Sequence, residues 1–99
     1  MKHFLLIYEY VPDYLDKRTP YRPAHFAAAK AAEARGDLFL AGACTDEGTP
    51  LGVLVFVAAS RHVVEAFAQA DPYVLHGIVA SWSVREWTTV IGKDALTKV

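Results

Sequence analysis

The chain has little of what marks the more specialised classes of protein. Its single cysteine, Cys44, cannot form an internal disulfide, which fits a reducing compartment. Ten basic and eleven acidic side chains leave a net charge of −1 with both signs interspersed, so we expect neither a nucleic-acid nor a membrane partner. No apolar run approaches the roughly 20 residues that cross a bilayer. These absences predict a small cytoplasmic protein.

The composition is that of one globular domain. Apolar residues make up 54% of the 99 positions and charged residues 21%, which excludes disorder and allows one hydrophobic core. No repeat, long linker or low-complexity tract divides the chain. We therefore predict a single domain over residues 1–99, with an ordered core of about 2–92 and a C-terminal tail of 93–99.

The order of the predicted elements is β-α-β-β-α-β. Aromatic and β-branched residues predict strands over 2–10, 37–44, 51–59 and about 78–91. A helical region over 13–35 is divided by two prolines, and a second helix follows a Ser60 cap. Their predicted apolar stripes are Phe26, Ala29, Ala31 and Ala32 in the first helix, and Val63, Ala66, Phe67 and Ala70 in the second. This order predicts a ferredoxin-like α+β fold with a four-stranded antiparallel sheet.

Both faces of the predicted sheet are apolar. The two central strands place on one face Phe4, Leu6, Tyr8, Leu54 and Phe56, and on the other Leu5, Ile7, Val53, Val55 and Val57. Two helices cover only one face, and the second face of an antiparallel sheet is normally polar. Because monomers rarely expose large apolar patches, we predict a two-fold homodimer through the open face. The alternative is an unusually apolar monomer.

His25 and Asp71 are the candidates for chemistry. His25 lies in the first turn of the main helix and shares a face with Ala29 and Ala32, so its ring should border the sheet. Asp71 precedes Pro72 and can cap a short new turn. Both residues also have a purely structural interpretation, as a half-buried histidine and a helix cap. Opposite ends of parallel helices would lie far apart, so sequence spacing alone does not bring the two residues together.

Two segments resemble the YciI-like (YCII-related) family. They are "RPAHFAAAKAAEARGDLFLAG" and, later, "AFAQADPYVLHGIVASWSVREW", which carry Arg-Pro-x-His at the first helix and Asp-Pro-Tyr after the second. The resemblance extends over nearly the whole chain. It implies a dimeric α+β barrel of ferredoxin-like subunits with a His-Asp active site, here His25 and Asp71. It also implies that Arg18, Arg22 and Tyr73 are neighbours of that site.

These residue types favour acid–base chemistry. A carboxylate that holds one histidine nitrogen protonated leaves the other free to accept a proton. No serine or cysteine occupies a motif position, so proton abstraction, elimination or isomerisation fits better than acyl transfer. We predict that Arg18 and Arg22 hold a carboxylate or phenolate, and that Tyr8 and Tyr73 line an aromatic-binding pocket. The resemblance implies a small aromatic or lactone-like compound as the substrate. Arg18 and Arg22 also suit a purely structural role as solvated surface charges.

No metal or other cofactor is predicted. The four histidines show no i, i+4 pair, and the chain has neither Cys-x-x-Cys nor a glycine-rich phosphate loop. The leading hypothesis is therefore a dimeric acid–base enzyme acting on an unknown small molecule. The alternatives are a non-catalytic dimeric ligand-binding or accessory module with the same pocket, and an interaction domain without a pocket.

Overall fold

The elements follow the predicted order. The computed structural model describes residues 1–99. Its strands are β1 (Lys2–Tyr10), β2 (Leu38–Cys44), β3 (Leu51–Ala58) and β4 (Val79–Trp87). Its helices are α1 (Tyr14–Lys17), α2 (Arg22–Ala34), α3 (Arg61–Ala70) and α4 (Pro72–Leu75), with a 3-10 turn over Thr19–Tyr21 before α2. The strands are antiparallel in the order β2-β3-β1-β4, so the ferredoxin-like α+β prediction is confirmed.

The last strand is shorter than predicted. It ends at Trp87 rather than near Ile91. Trp87 pairs with His3, and β1 begins at Lys2, so only one residue of β1 remains as a partner for the chain beyond Trp87. The remaining residues turn back on themselves, with a backbone hydrogen bond from Thr97 to Thr89.

The hydrophobic core lies between one face of the sheet and the helices. Leu6 occupies its centre, paired with Leu54 on β3 and with Val84 on β4, and all three are buried. Val64 and Ala68 of α3 pack onto this face. Burial of each large aliphatic side chain contributes about 1.5–3 kcal/mol to folding.

The predicted apolar stripes of both helices are displaced. In α3 the fully buried residues are Val64 and Ala68, whereas Val63 is exposed and, with Ala66 and Ala70, lines a groove between α2 and α3. This helix is apolar around more than half of its circumference, so its sequence fits two overlapping stripes. In α2 the buried residues are His25 and Ala32, while Phe26 and Ala31 are exposed.

Helices α2 and α3 run antiparallel to each other. Helix α2 follows β1 and runs in the opposite direction to it, and α3 is related to β3 in the same way. Strands β1 and β3 are themselves antiparallel neighbours. The start of α2 therefore lies beside the end of α3, and α4 contacts α2. The assumption of parallel helices, which would keep His25 and Asp71 apart, is wrong for this topology.

The second face of the sheet carries no helix. Leu5, Ile7, Val53, Val55 and Val57 lie on it and are only half-buried. The chain after β4 covers one corner, where His3 Nδ1 lies 2.8 Å from Thr89 Oγ1. None of the helices combines the length and the hydropathy that a bilayer crossing requires.

Candidate active site

His25 and Asp71 are in direct contact. His25 Nδ1 lies 2.8 Å from Oδ1 and 3.0 Å from Oδ2 of Asp71. These separations are those of a hydrogen bond. Asp71 is completely buried and His25 is 8% exposed, so the contact is formed in the interior. The antiparallel helices bring together the two residues that the motifs predicted.

The Asp71 carboxylate accepts hydrogen bonds from three groups. Besides His25, the Tyr8 hydroxyl donates to Oδ2 at 2.7 Å, and the backbone N–H of Tyr73 donates to Oδ1 at 3.0 Å. The Tyr73 bond is the N-cap of α4, which begins at Pro72. Asp71 thus caps a helix and binds the histidine at the same time, so the structural and chemical interpretations of this residue are compatible.

The carboxylate fixes the tautomer of His25. Nδ1–H donates to Asp71, so the neutral ring has its unprotonated nitrogen at Nε2. The ring of Tyr73 stacks on the imidazole, with centroids 3.8 Å apart and an interplanar angle of 6°. Because the hydrogen bond and the stacked ring constrain both the position and the plane of the imidazole, Nε2 is pre-oriented.

A cavity of about 530 Å³ lies against this pair. It lies beside Tyr10 at the end of β1 and Leu54 of β3, and the end of β2 forms one wall. Its volume is within the range of small-molecule sites. Polar side chains line it as follows: Tyr10, Arg18, Arg22, His25, Thr45 and Tyr73. The imidazole of His25 and the guanidinium groups of Arg18 and Arg22 therefore line the same cavity.

The two arginines are held by aromatic rings and not by carboxylates. Arg18 Cζ lies 5.5 Å from the ring centroid of Tyr14, and Arg22 Cζ lies 4.8 Å from that of Phe26. Neither guanidinium takes part in a salt bridge. Both charges remain available to an anion in the cavity, because a ring face orients a cation without neutralising it.

Tyr8 does not line the cavity. It was predicted to bind substrate, but its side chain lies in the core behind Asp71 and has no exposed surface. Burial, reinforced by the Asp71 charge, raises the pKa of the Tyr8 hydroxyl well above its usual value. The hydroxyl therefore stays protonated and donates to Asp71. Tyr73 does line the cavity, as predicted.

Tyr10 and Thr45 also line the cavity. The chain has five tyrosines, and the sequence pattern alone does not divide them into core residues and pocket residues. The place of Tyr10 two residues after Tyr8 at the end of β1 is the signal that identifies it once the fold is known. No feature of the sequence identifies Thr45 as a residue that lines the cavity. No three His, Cys, Asp or Glu side chains lie close enough together to hold a metal ion.

Residues 1–88 match the model of the YCII-related domain. The chain belongs to the YCII-related family. The identification made from the two sequence motifs is therefore confirmed. No curated protein sequence matches this chain.

A similar solved structure is that of the 5-chloro-2-hydroxyhydroquinone dehydrochlorinase of Burkholderia phenoliruptrix, in complex with 2,5-dihydroxybenzoquinone. It is 24% identical in sequence, with a TM-score of 0.76, and the match covers 94% of this chain and 98% of that one. At this identity the likeness shows a common fold.

Proposed function

We propose that this YCII-related protein is an enzyme that uses His25 and Asp71 as a general acid/base pair on a small aromatic or lactone-like compound. The reaction is a proton abstraction, elimination or isomerisation. The observation that carries the proposal is the buried 2.8 Å contact between the two side chains beside a cavity with two unpaired arginines. A dehydrochlorinase of the same fold supports elimination as the first reaction to test.

The proton balance of the reaction follows from the tautomer. Nε2 of neutral His25 accepts a proton from a carbon or hydroxyl of the substrate, and Asp71 stabilises the imidazolium that forms. In an elimination, the electron pair of the broken C–H or O–H bond moves into the substrate and expels a leaving group as an anion. The imidazolium then releases its proton to water. In an isomerisation, the imidazolium returns the proton to a different atom.

Arg18 and Arg22 supply the charge that this chemistry needs. Removing a proton leaves negative charge on the substrate, and two cations already oriented at the cavity stabilise that charge without rearranging. Tyr73 contributes the stacked ring that fixes the imidazole. Tyr8 is a positioning residue, since it acts on Asp71 and does not reach the cavity.

We also propose that the functional unit is the homodimer. The open face holds five half-buried aliphatic side chains from the two central strands, and a second copy related by a two-fold axis would cover them.

The test is turnover of hydroxylated aromatic rings that carry a chloride leaving group. Chloride release would be followed for the wild type and for His25→Asn and Asp71→Asn. Loss of the base, or of the group that orients it, should lower kcat by about 10²- to 10⁴-fold. His62→Asn is the matched control, since His62 is an exposed histidine near Glu65 on α3.

Unchanged turnover in both site variants would overturn the proposal. Tight binding of the same rings, with their unaltered recovery and with affinities that survive both substitutions, would favour the non-catalytic ligand-binding module instead.

A further inference from the structure

Tyr10 continues the row of rings that begins at His25. The ring of Tyr73 stacks on the imidazole, and Tyr10 meets Tyr73 edge-on with centroids 6.4 Å apart. The other side of Tyr10 stacks on Tyr14, with centroids 4.6 Å apart and an angle of 9°. Tyr10 is thereby fixed from two sides at the cavity wall.

Gly52 makes the room for this ring. A Cβ added at position 52 would overlap the Tyr10 hydroxyl oxygen and would lie 2.9 Å from its Cζ. Gly52 does not have a positive φ, so the backbone alone does not require glycine there. Glycine inside a strand weakens it, and it often marks a place where another group approaches closely. In β3 that group is the Tyr10 hydroxyl.

The Tyr10 hydroxyl is not used by the hydrogen bonds that build the site, which join Tyr8, His25 and Tyr73 to Asp71. Every fully buried polar side-chain atom in the protein has a partner, so this hydroxyl is not a buried orphan. Burial, with the nearby Tyr73 and Asp71, raises the pKa of Tyr10 above its usual value. The group therefore remains a neutral donor at the wall of the cavity.

We infer that Tyr10 is a specificity-determining residue, whose hydroxyl donates a hydrogen bond to an oxygen on the ring of the bound molecule. The substrate class is then a planar ring with two oxygen functions. One is an anionic group for Arg18 and Arg22, and the other is an acceptor for Tyr10. This inference rests on the proposed function, because it concerns the same cavity.

Benzoate and its three monohydroxylated isomers test the inference by calorimetric binding. All four share the carboxylate, and they differ only in the presence and place of the hydroxyl. The wild type should bind at least one hydroxybenzoate about three- to tenfold more tightly than benzoate, the range of one hydrogen bond. Tyr10→Phe keeps the ring and should bring the ratio of hydroxybenzoate to benzoate affinity down to about one.

Two further variants sharpen the test. Gly52→Ala should displace Tyr10 and reduce the same preference, whereas Tyr21→Phe should keep it, because Tyr21 stacks on His76 outside the cavity. The absence of any preference in the wild type, or its survival in Tyr10→Phe, would overturn the inference. This test is independent of the test of the acid–base proposal. The acid–base proposal is judged by the turnover of His25→Asn and Asp71→Asn, whereas the role of Tyr10 is judged by the affinity for the benzoates.

Discussion

At the scale of the residue, Asp71 is held in the interior by several hydrogen bonds. It is fully buried, and it accepts hydrogen bonds from a hydroxyl, a ring nitrogen and a backbone N–H. A buried carboxylate is tolerated only when its oxygens accept hydrogen bonds, so the loss of any one donor should lower the free energy of unfolding. The Asp-Pro-Tyr motif identifies this residue and its cap from sequence alone.

Tyr8→Phe should destabilise the fold without leaving a cavity. The substitution removes only the hydroxyl, so Asp71 loses one of its three donors while the ring still fills the core. We expect the free energy of unfolding in urea to fall by about 1–3 kcal/mol. The matched change Tyr21→Phe, at a half-buried ring stacked on His76, should alter it by less than about 0.5 kcal/mol. Equal effects of the two substitutions would contradict the importance of the Tyr8 bond.

The sequence alone does not distinguish the environments of Tyr8 and Tyr10. Tyr8 and Tyr10 lie on the same strand and point to the same face of the sheet. Strand periodicity therefore assigns them the same environment. Only the position of Asp71 behind one ring and of the cavity beside the other distinguishes them, and both depend on helices distant in the sequence.

At the scale of the element, the meeting of His25 and Asp71 follows from topology. Their helices follow two antiparallel neighbouring strands, so the start of α2 must lie beside the end of α3. The predicted β-α-β-β-α-β order already contains this result, since right-handed crossovers in such a sheet set both helix directions. The contact could thus have been predicted from the fold, whereas sequence spacing alone does not give it.

The displaced stripe of α3 gives a prediction for two neighbouring valines. Val64→Ala removes fully buried methyl groups and should lower the free energy of unfolding by about 1.5–3 kcal/mol. Val63→Ala, one residue earlier on the exposed side, should change it by less than about 0.5 kcal/mol. Urea unfolding of the two variants gives the comparison. A larger loss of unfolding free energy in Val63→Ala than in Val64→Ala would instead support the apolar stripe that the sequence predicted.

At the scale of the whole molecule, the two faces of the sheet differ in their coverage. Helices cover one face, while the other holds aliphatic side chains that remain half-buried. The sequence predicts this asymmetry well, because a four-stranded sheet with apolar residues on both faces and only two main helices must leave one face open.

We expect light scattering at micromolar concentration to give about twice the mass of one chain. Val55→Lys places a charge in the centre of the open face, and it should shift the protein to the mass of one chain. Ala66→Lys, on an exposed position of α3, is the control and should remain a dimer. A wild-type protein with the mass of one chain would contradict the proposed homodimer.

The acid–base proposal depends on one claim, that Asp71 holds His25 with an unprotonated Nε2 at the cavity. The most direct measurement is a long-range 1H–15N NMR spectrum of the neutral His25 ring, compared between the wild type and Asp71→Asn. We expect a protonated Nδ1 and an unprotonated Nε2 in the wild type, and the loss of this single tautomer in Asp71→Asn. A wild-type ring that carries its proton on Nε2 would contradict the claim, because the nitrogen at the cavity would then have no lone pair for a substrate proton.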